Sequence, residues 1–157
     1  MERTIYLIDN MVVCSRALAP FIESDFLKEN VWIIDEVVHE AARSRSIDSI
    51  KKLRHGLEAK ECVRLKKIAR ACVENYKILN LYEGCADALM LATALAINDS
   101  DDEQAQMQFE RIKPIIVTEE RGIQTACESL NIEWLSQAGF VYLIKQVSNQ
   151  ELPLSYG

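Results

Sequence analysis

Five carboxylates fall where a strand-and-helix protein exposes the ends of its strands. Asp9 directly follows the strand-like run "TIYLI", and Glu119 and Glu120 directly follow "PIIVT". Glu40 falls in the second turn of a predicted helix behind "VWII", and Asp87 in the first turn of the apolar stretch "GCADALMLATALAI". Taken singly, each has an ordinary reading: a turn residue, a solvated helix position, a carboxylate at a helix N-terminus, a surface pair. Together they pose an electrostatic problem. Asp87 is set among Ala86, Ala88, Leu89 and Met90, where an uncompensated charge is costly, and gathered carboxylates raise one another's pKa values. A bound divalent cation resolves both difficulties, and hard oxygen donors suit Mg²⁺ or Mn²⁺. Zinc chemistry is poorly supplied, because the two histidines, His39 and His55, and the five cysteines form no cluster and no CxxC pair. No Ser/His/Asp constellation stands out either.

The elements that must position these acids alternate along the chain. Residues 4–8 read as a buried strand, 11–28 as helical with a break at Pro20, and 31–34 as a second strand. Asp35 can cap a helix running to about Arg43, and a basic helical stretch with a break at Gly56 follows. Apolar residues at 62, 65, 69, 72, 76 and 79 trace one helix face. Residues 84–97 predict a helix buried on most sides. "NDSDDEQAQ" reads as a polar loop running into a short helix, 114–117 as a third strand, 123–130 as a helix, 132–135 as a short edge strand and 137–147 as a closing helix. Strands separated by helices argue for an α/β fold: a three-layer α/β/α sandwich around a short central parallel sheet. In such a sheet, sites form outside the carboxyl ends of the strands, and all five acids can reach that edge.

Bulk properties narrow the class. A chain of 157 residues predicts one domain, residues 1–157, able to bury a core without staples. "MERTIYLIDN" lacks the basic start and long apolar stretch of a signal peptide, and no run approaches a membrane span. Cysteines 14, 62, 72, 85 and 127 are expected to be reduced thiols in a cytoplasmic protein. The net charge of −6 argues against a generic nucleic-acid binder. Its distribution is polarised, since residues 43–70 hold ten Lys/Arg against three Asp/Glu.

Four stretches, "YLIDNMVV", "IIDEVVHEA", "ADALMLATAL" and "IIVTEERG", stand in an order that resembles the PIN-domain nucleases over roughly residues 4 to 135. Members of that family carry an acid after strand one, a Glu in a V-x-x-E helix, an Asp opening a D-A-x-x-x-A-x-A helix, and T-x-D/E after a later strand. On that pattern Asp9, Glu40, Asp87 and Glu120 match the acids and Thr118 the hydroxyl residue. The segment "VTEERGIQTACESLNIEWLS" is also similar to the end of one bacterial branch. One position departs: where the family has Asn or Ser two residues after the first acid, this chain has Met11, with Asn10 one residue early. The resemblance implies hydrolysis of phosphodiesters in single-stranded RNA by one or two Mg²⁺ or Mn²⁺ ions held by these carboxylates, with Asn10 and Thr118 in support. It also implies, by analogy with small bacterial members, the toxin of a toxin–antitoxin pair, with a protein antitoxin partner and a homodimer.

An RNA strand approaching four carboxylates needs a compensating attraction. Arg43 and Arg45 can flank the site, with Lys51, Lys52 and Arg54 extending a basic track; the competing reading is a solvated helical face. His39 could orient water or be a plain surface or core imidazole. Two rivals to the nuclease stand: a binding module of the same fold without catalysis, with Met11 as its signature, and an unrelated phosphotransfer or receiver-like domain. The receiver reading requires a paired acid, a phosphoacceptor Asp and a late Lys, a pattern this sequence does not present.

Overall fold

The computed structural model describes residues 2–41, 50–55, 86–104 and 111–151. The periodic stretch 62–79, Gly56, Arg43 and Arg45 lie outside them, as do Cys62, Cys72 and Cys85. The central strand β1 (Glu2–Ile8) is buried from Ile5 onward, as a strand covered on both faces must be. It pairs in parallel with β2 (Val31–Ile34) on one side. On the other it pairs with β4 (Arg111–Val117) along its whole length, from Glu2↔Arg111 to Ile8↔Val117. β3 (Arg54–His55) adds to β2, and β5 (Glu133–Leu135) to β4, giving the order β3-β2-β1-β4-β5 with every pairing parallel. The order runs outward from β1 in both directions. Right-handed crossovers therefore place the helices of the two halves on opposite faces, compatible with three layers.

Side-chain contacts identify one helical layer. Tyr6 of β1 meets Phe26 at 5.9 Å and Phe140 at 5.1 Å between ring centroids. This seats α2 (Asp25–Asn30) and α6 (Gln137–Glu151) on the same face of the sheet. Phe140 is fully buried there. α4 (Ala86–Gln104) lies along β4, touches β2, and meets α3 (Asp35–Ala41) and α5 (Arg121–Ser129). Met90, Leu91, Ala92 and Ala94 of α4 are buried. α5 ends at Asn131, whose φ of 56° is the left-handed conformation that Asn tolerates. The Ile132 amide then bonds back to the Cys127 carbonyl at 2.9 Å, turning the chain into β5.

Three expectations need correction. The helix over 11–28 is instead α1 (Asn10–Val13), a 3₁₀ turn at Ala19–Phe21, and α2. Two serines divide it. The Ser15 hydroxyl accepts from the Leu18 amide at 3.2 Å and the Ser24 hydroxyl from Leu27 at 3.3 Å, local bonds that compete with helix continuation. The polar loop at "NDSDDEQAQ" is helical through Gln104, because lengthening an existing helix costs far less than starting one. Finally, Arg54 and His55, read as part of a helical stretch, form strand β3. Two residues are too few for a periodic signal, and what sets them is the Ile33 amide bonded to the Leu53 carbonyl at 2.9 Å, with Ile50 and Leu53 buried beneath. No helix among the described residues is long and apolar enough to cross a membrane.

Candidate functional site

The geometry begins at the paired ends of β1 and β4. The Asp9 amide bonds to the Val117 carbonyl at 3.1 Å, which holds Asp9 against Thr118. Asp9 is buried, 3% exposed, and occupies the N-cap of α1, where one carboxylate oxygen accepts from the Met11 amide at 2.9 Å. Its other oxygen accepts from the fully buried Thr118 hydroxyl at 2.8 Å. That hydroxyl in turn accepts from the Glu120 amide at 3.1 Å. One side chain thus ties the ends of two strands together and sets where Glu120 begins. Asp9 spends one lone pair on each bond, and a carboxylate offers about four, so it retains capacity for a cation.

Glu120 sits at the N-cap of α5 without making a capping bond. Its side chain instead hydrogen-bonds Asp87, in the first turn of α4. Asp87 is pushed up from the ordinary 3.8 to about 7, first by burial, then by the charges of Glu120 and Asp9, then by that hydrogen bond and by Glu40. Asp87 therefore keeps its proton up to near neutrality. Glu40, half-buried on α3, is also raised above its ordinary range, first by burial and then by Asp9, Glu36 and Glu120, with His39 opposing. Asp87 thus feels the other three acids, and Glu40 feels Asp9 and Glu120. Among the described residues no group of three or more His, Cys, Asp or Glu is placed to hold a metal ion; what links the acids is their electrostatic influence on Asp87 and Glu40.

Glu36 is the acid that sequence reasoning passed over. Its spacing of four from Glu40 puts both on one face of α3, and that spacing was the available signal. The neighbouring Glu119 turns away from the group, since its carboxylate accepts from the Gln137 amide at 2.6 Å, at the start of α6. The Asn10 carboxamide oxygen accepts from the Cys14 thiol at 3.4 Å. Met11 is 59% exposed beside Asp9. His39 is exposed.

The basic track is only partly described. Arg54 is engaged by Asp35 and Lys52 by Glu23, the latter at 3.5 Å, and both pairs are exposed; Lys51 is exposed. Ion pairs of this kind are weak, but they offset part of the positive field assigned to these residues. Of the thiols described, Cys14 and Cys127 are free, and burial pushes Cys127 up to about 12, which makes it inert at neutral pH.

The donor set is entirely oxygen, and burial together with the neighbouring carboxylates keeps a proton on Asp87 that a divalent cation would displace. Carboxylate oxygens of this kind are the donors that a hard cation such as Mg²⁺ or Mn²⁺ prefers. No family model and no curated protein matches the chain.

Proposed function

We propose that this chain is a Mg²⁺- or Mn²⁺-dependent ribonuclease of PIN type that cleaves phosphodiesters of single-stranded RNA. The observation that carries the reading is the electrostatic convergence of Asp9, Glu40, Asp87 and Glu120, with Asp87 raised to about 7 by burial and by the other three. The four stretches that resemble the family supply these acids: Asp9 follows β1 directly, Glu40 lies within α3 behind β2, and Glu120 lies beyond Thr118 and Glu119 at the end of β4. A bound cation would lower the pKa of a water and stabilise negative charge on the phosphate. The chain's own residues do the positioning. Thr118 fixes the Asp9 carboxylate and the Glu120 backbone, while the first turn of α4 presents Asp87. By the same resemblance, the protein acts in the cytoplasm as a toxin, with a protein antitoxin and a homodimer as partners.

The test is cleavage of single-stranded RNA by the purified protein, freed of any partner, with Mn²⁺ or Mg²⁺. Activity should stop on EDTA addition and be absent from Asp87→Asn. Cleavage that survives EDTA or the substitution refutes the assignment. A second reading, a binding module of the same fold, is favoured by exposed Met11 at the position where the family has a polar residue. It requires RNA binding by the wild type without cleavage under any of these conditions.

A further inference from the structure

Among the described residues the exposed large apolar side chains are Met11, beside Asp9, and Tyr142, which is 65% exposed. Tyr142 lines a cavity of about 430 Å³ with Ala17, Glu119, Ala138, Val141 and Lys145, a volume in the range of small-ligand pockets. Positions 138, 141, 142 and 145 recur at helical spacing, so α6 presents them as one face. The Tyr142 hydroxyl accepts from the Gln146 side chain at 2.6 Å, which tethers the edge of the ring. Glu119 forms a wall of this cavity, and the next residue, Glu120, belongs to the carboxylate group. One peptide unit, about 3.8 Å between Cα atoms, separates the two.

We propose that this cavity is a nucleotide subsite serving the carboxylate group, a deepening that rests on the nuclease reading above. It takes one nucleotide of single-stranded RNA. The base stacks on the Tyr142 ring, and the phosphate lies toward Lys145, away from the Glu119 carboxylate. Glu119 already accepts from the Gln137 amide, and its remaining lone pairs accept from an exocyclic amine of the base. The strand then crosses the sheet edge from this cavity to the acids. The chemistry that recognises RNA here is an aromatic plate plus a cation, the combination used by single-strand binders. Residues 43–70, which contain no Phe, Trp or Tyr, cannot supply that plate.

The test uses a short oligoribonucleotide carrying 2-aminopurine, titrated against Asp87→Asn protein so that it is not cut. Stacking should quench the fluorescence. Tyr142→Ala should abolish the quench and weaken binding by roughly 5- to 100-fold, the range for loss of one stacked base. Tyr142→Phe, which keeps the ring and loses only the Gln146 bond, should retain both. Lys145→Ala should weaken binding and flatten its salt dependence. Absence of a quench, or an unchanged quench and affinity in Tyr142→Ala, overturns the subsite. So does a Tyr142→Ala protein that alters sedimentation while leaving RNA affinity intact, since the ring would then serve a protein contact. Cleavage of the same oligonucleotide by protein retaining Asp87, with Mn²⁺, reports on the nuclease reading separately. Cleavage with a KM indifferent to Tyr142→Ala overturns only the subsite. A Tyr142-dependent quench without cleavage overturns only the nuclease.

Discussion

Asp87→Asn should stabilise the metal-free protein at neutral pH and abolish its stabilisation by metal. Asp87 titrates near 7 in the folded chain against an ordinary value of 3.8. Between these values the native state holds a proton that the unfolded state has released, so stability falls as pH rises through this window. The displacement corresponds to about 4 kcal/mol of differential interaction. Asp87 is only half-buried, so solvent screening reduces this to roughly 2 kcal/mol. For a chain of this size that amounts to a Tm difference of roughly 4–8 °C. Asn fixes the neutral form and can still donate to Glu120, so the variant escapes the loss.

The assay is thermal unfolding of both proteins at about pH 5 and about pH 8, each in EDTA and in excess Mn²⁺. In EDTA the wild type should lose stability at the higher pH while the variant changes less. A cation binding the native carboxylates stabilises by mass action, so Mn²⁺ should restore the wild type at the higher pH and leave the variant unmoved. Parallel pH profiles for the two proteins would refute the electrostatic account of Asp87. Equal Mn²⁺ stabilisation of both would remove Asp87 from the cation site.

The neighbouring glutamates should separate. Glu120→Gln should weaken Mn²⁺ binding measured by calorimetry, whereas Glu119→Gln, which keeps an acceptor for the Gln137 amide, should not; the reverse ranking moves the ligand by one residue. Thr118→Val leaves the buried Asp9 oxygen without its donor and frees the Glu120 amide, so it should cost about 1–3 kcal/mol in denaturant unfolding and lower Mn²⁺ affinity. Thr118→Ser, which restores the hydroxyl, should recover the metal affinity. Replacing Lys51, Lys52 and Arg54 together by Ala should weaken RNA binding, yet flatten the salt slope by less than three phosphate contacts' worth, about 0.7 each for single strands. The reason is that Lys52 and Arg54 already face Glu23 and Asp35. A full three-contact change would show that RNA displaces both acids.

What the sequence determined by itself was the set of elements whose signal is local. Apolar runs such as "YLI" and "VWII" become strands because burial on both faces of a parallel sheet requires continuous hydrophobicity. The acids at their ends could be read because strand ends are where backbone leaves the sheet. Residue types alone also indicated that an Asp beside Ala86, Leu89 and Met90 must be compensated. Everything that depends on distance across the fold was decided by tertiary structure. The Thr118 hydroxyl joins residues 109 positions apart. Glu40 adds to the field on Asp87 only because α3 packs against α4. The ion pairs of Lys52 and Arg54 draw partners from remote segments. Phe140 and Tyr142, two residues apart, separate into a fully buried ring and an exposed one. Composition treats those two rings alike, and only the seating of α6 on the sheet, with Tyr6 beneath Phe140, decides which of them meets water.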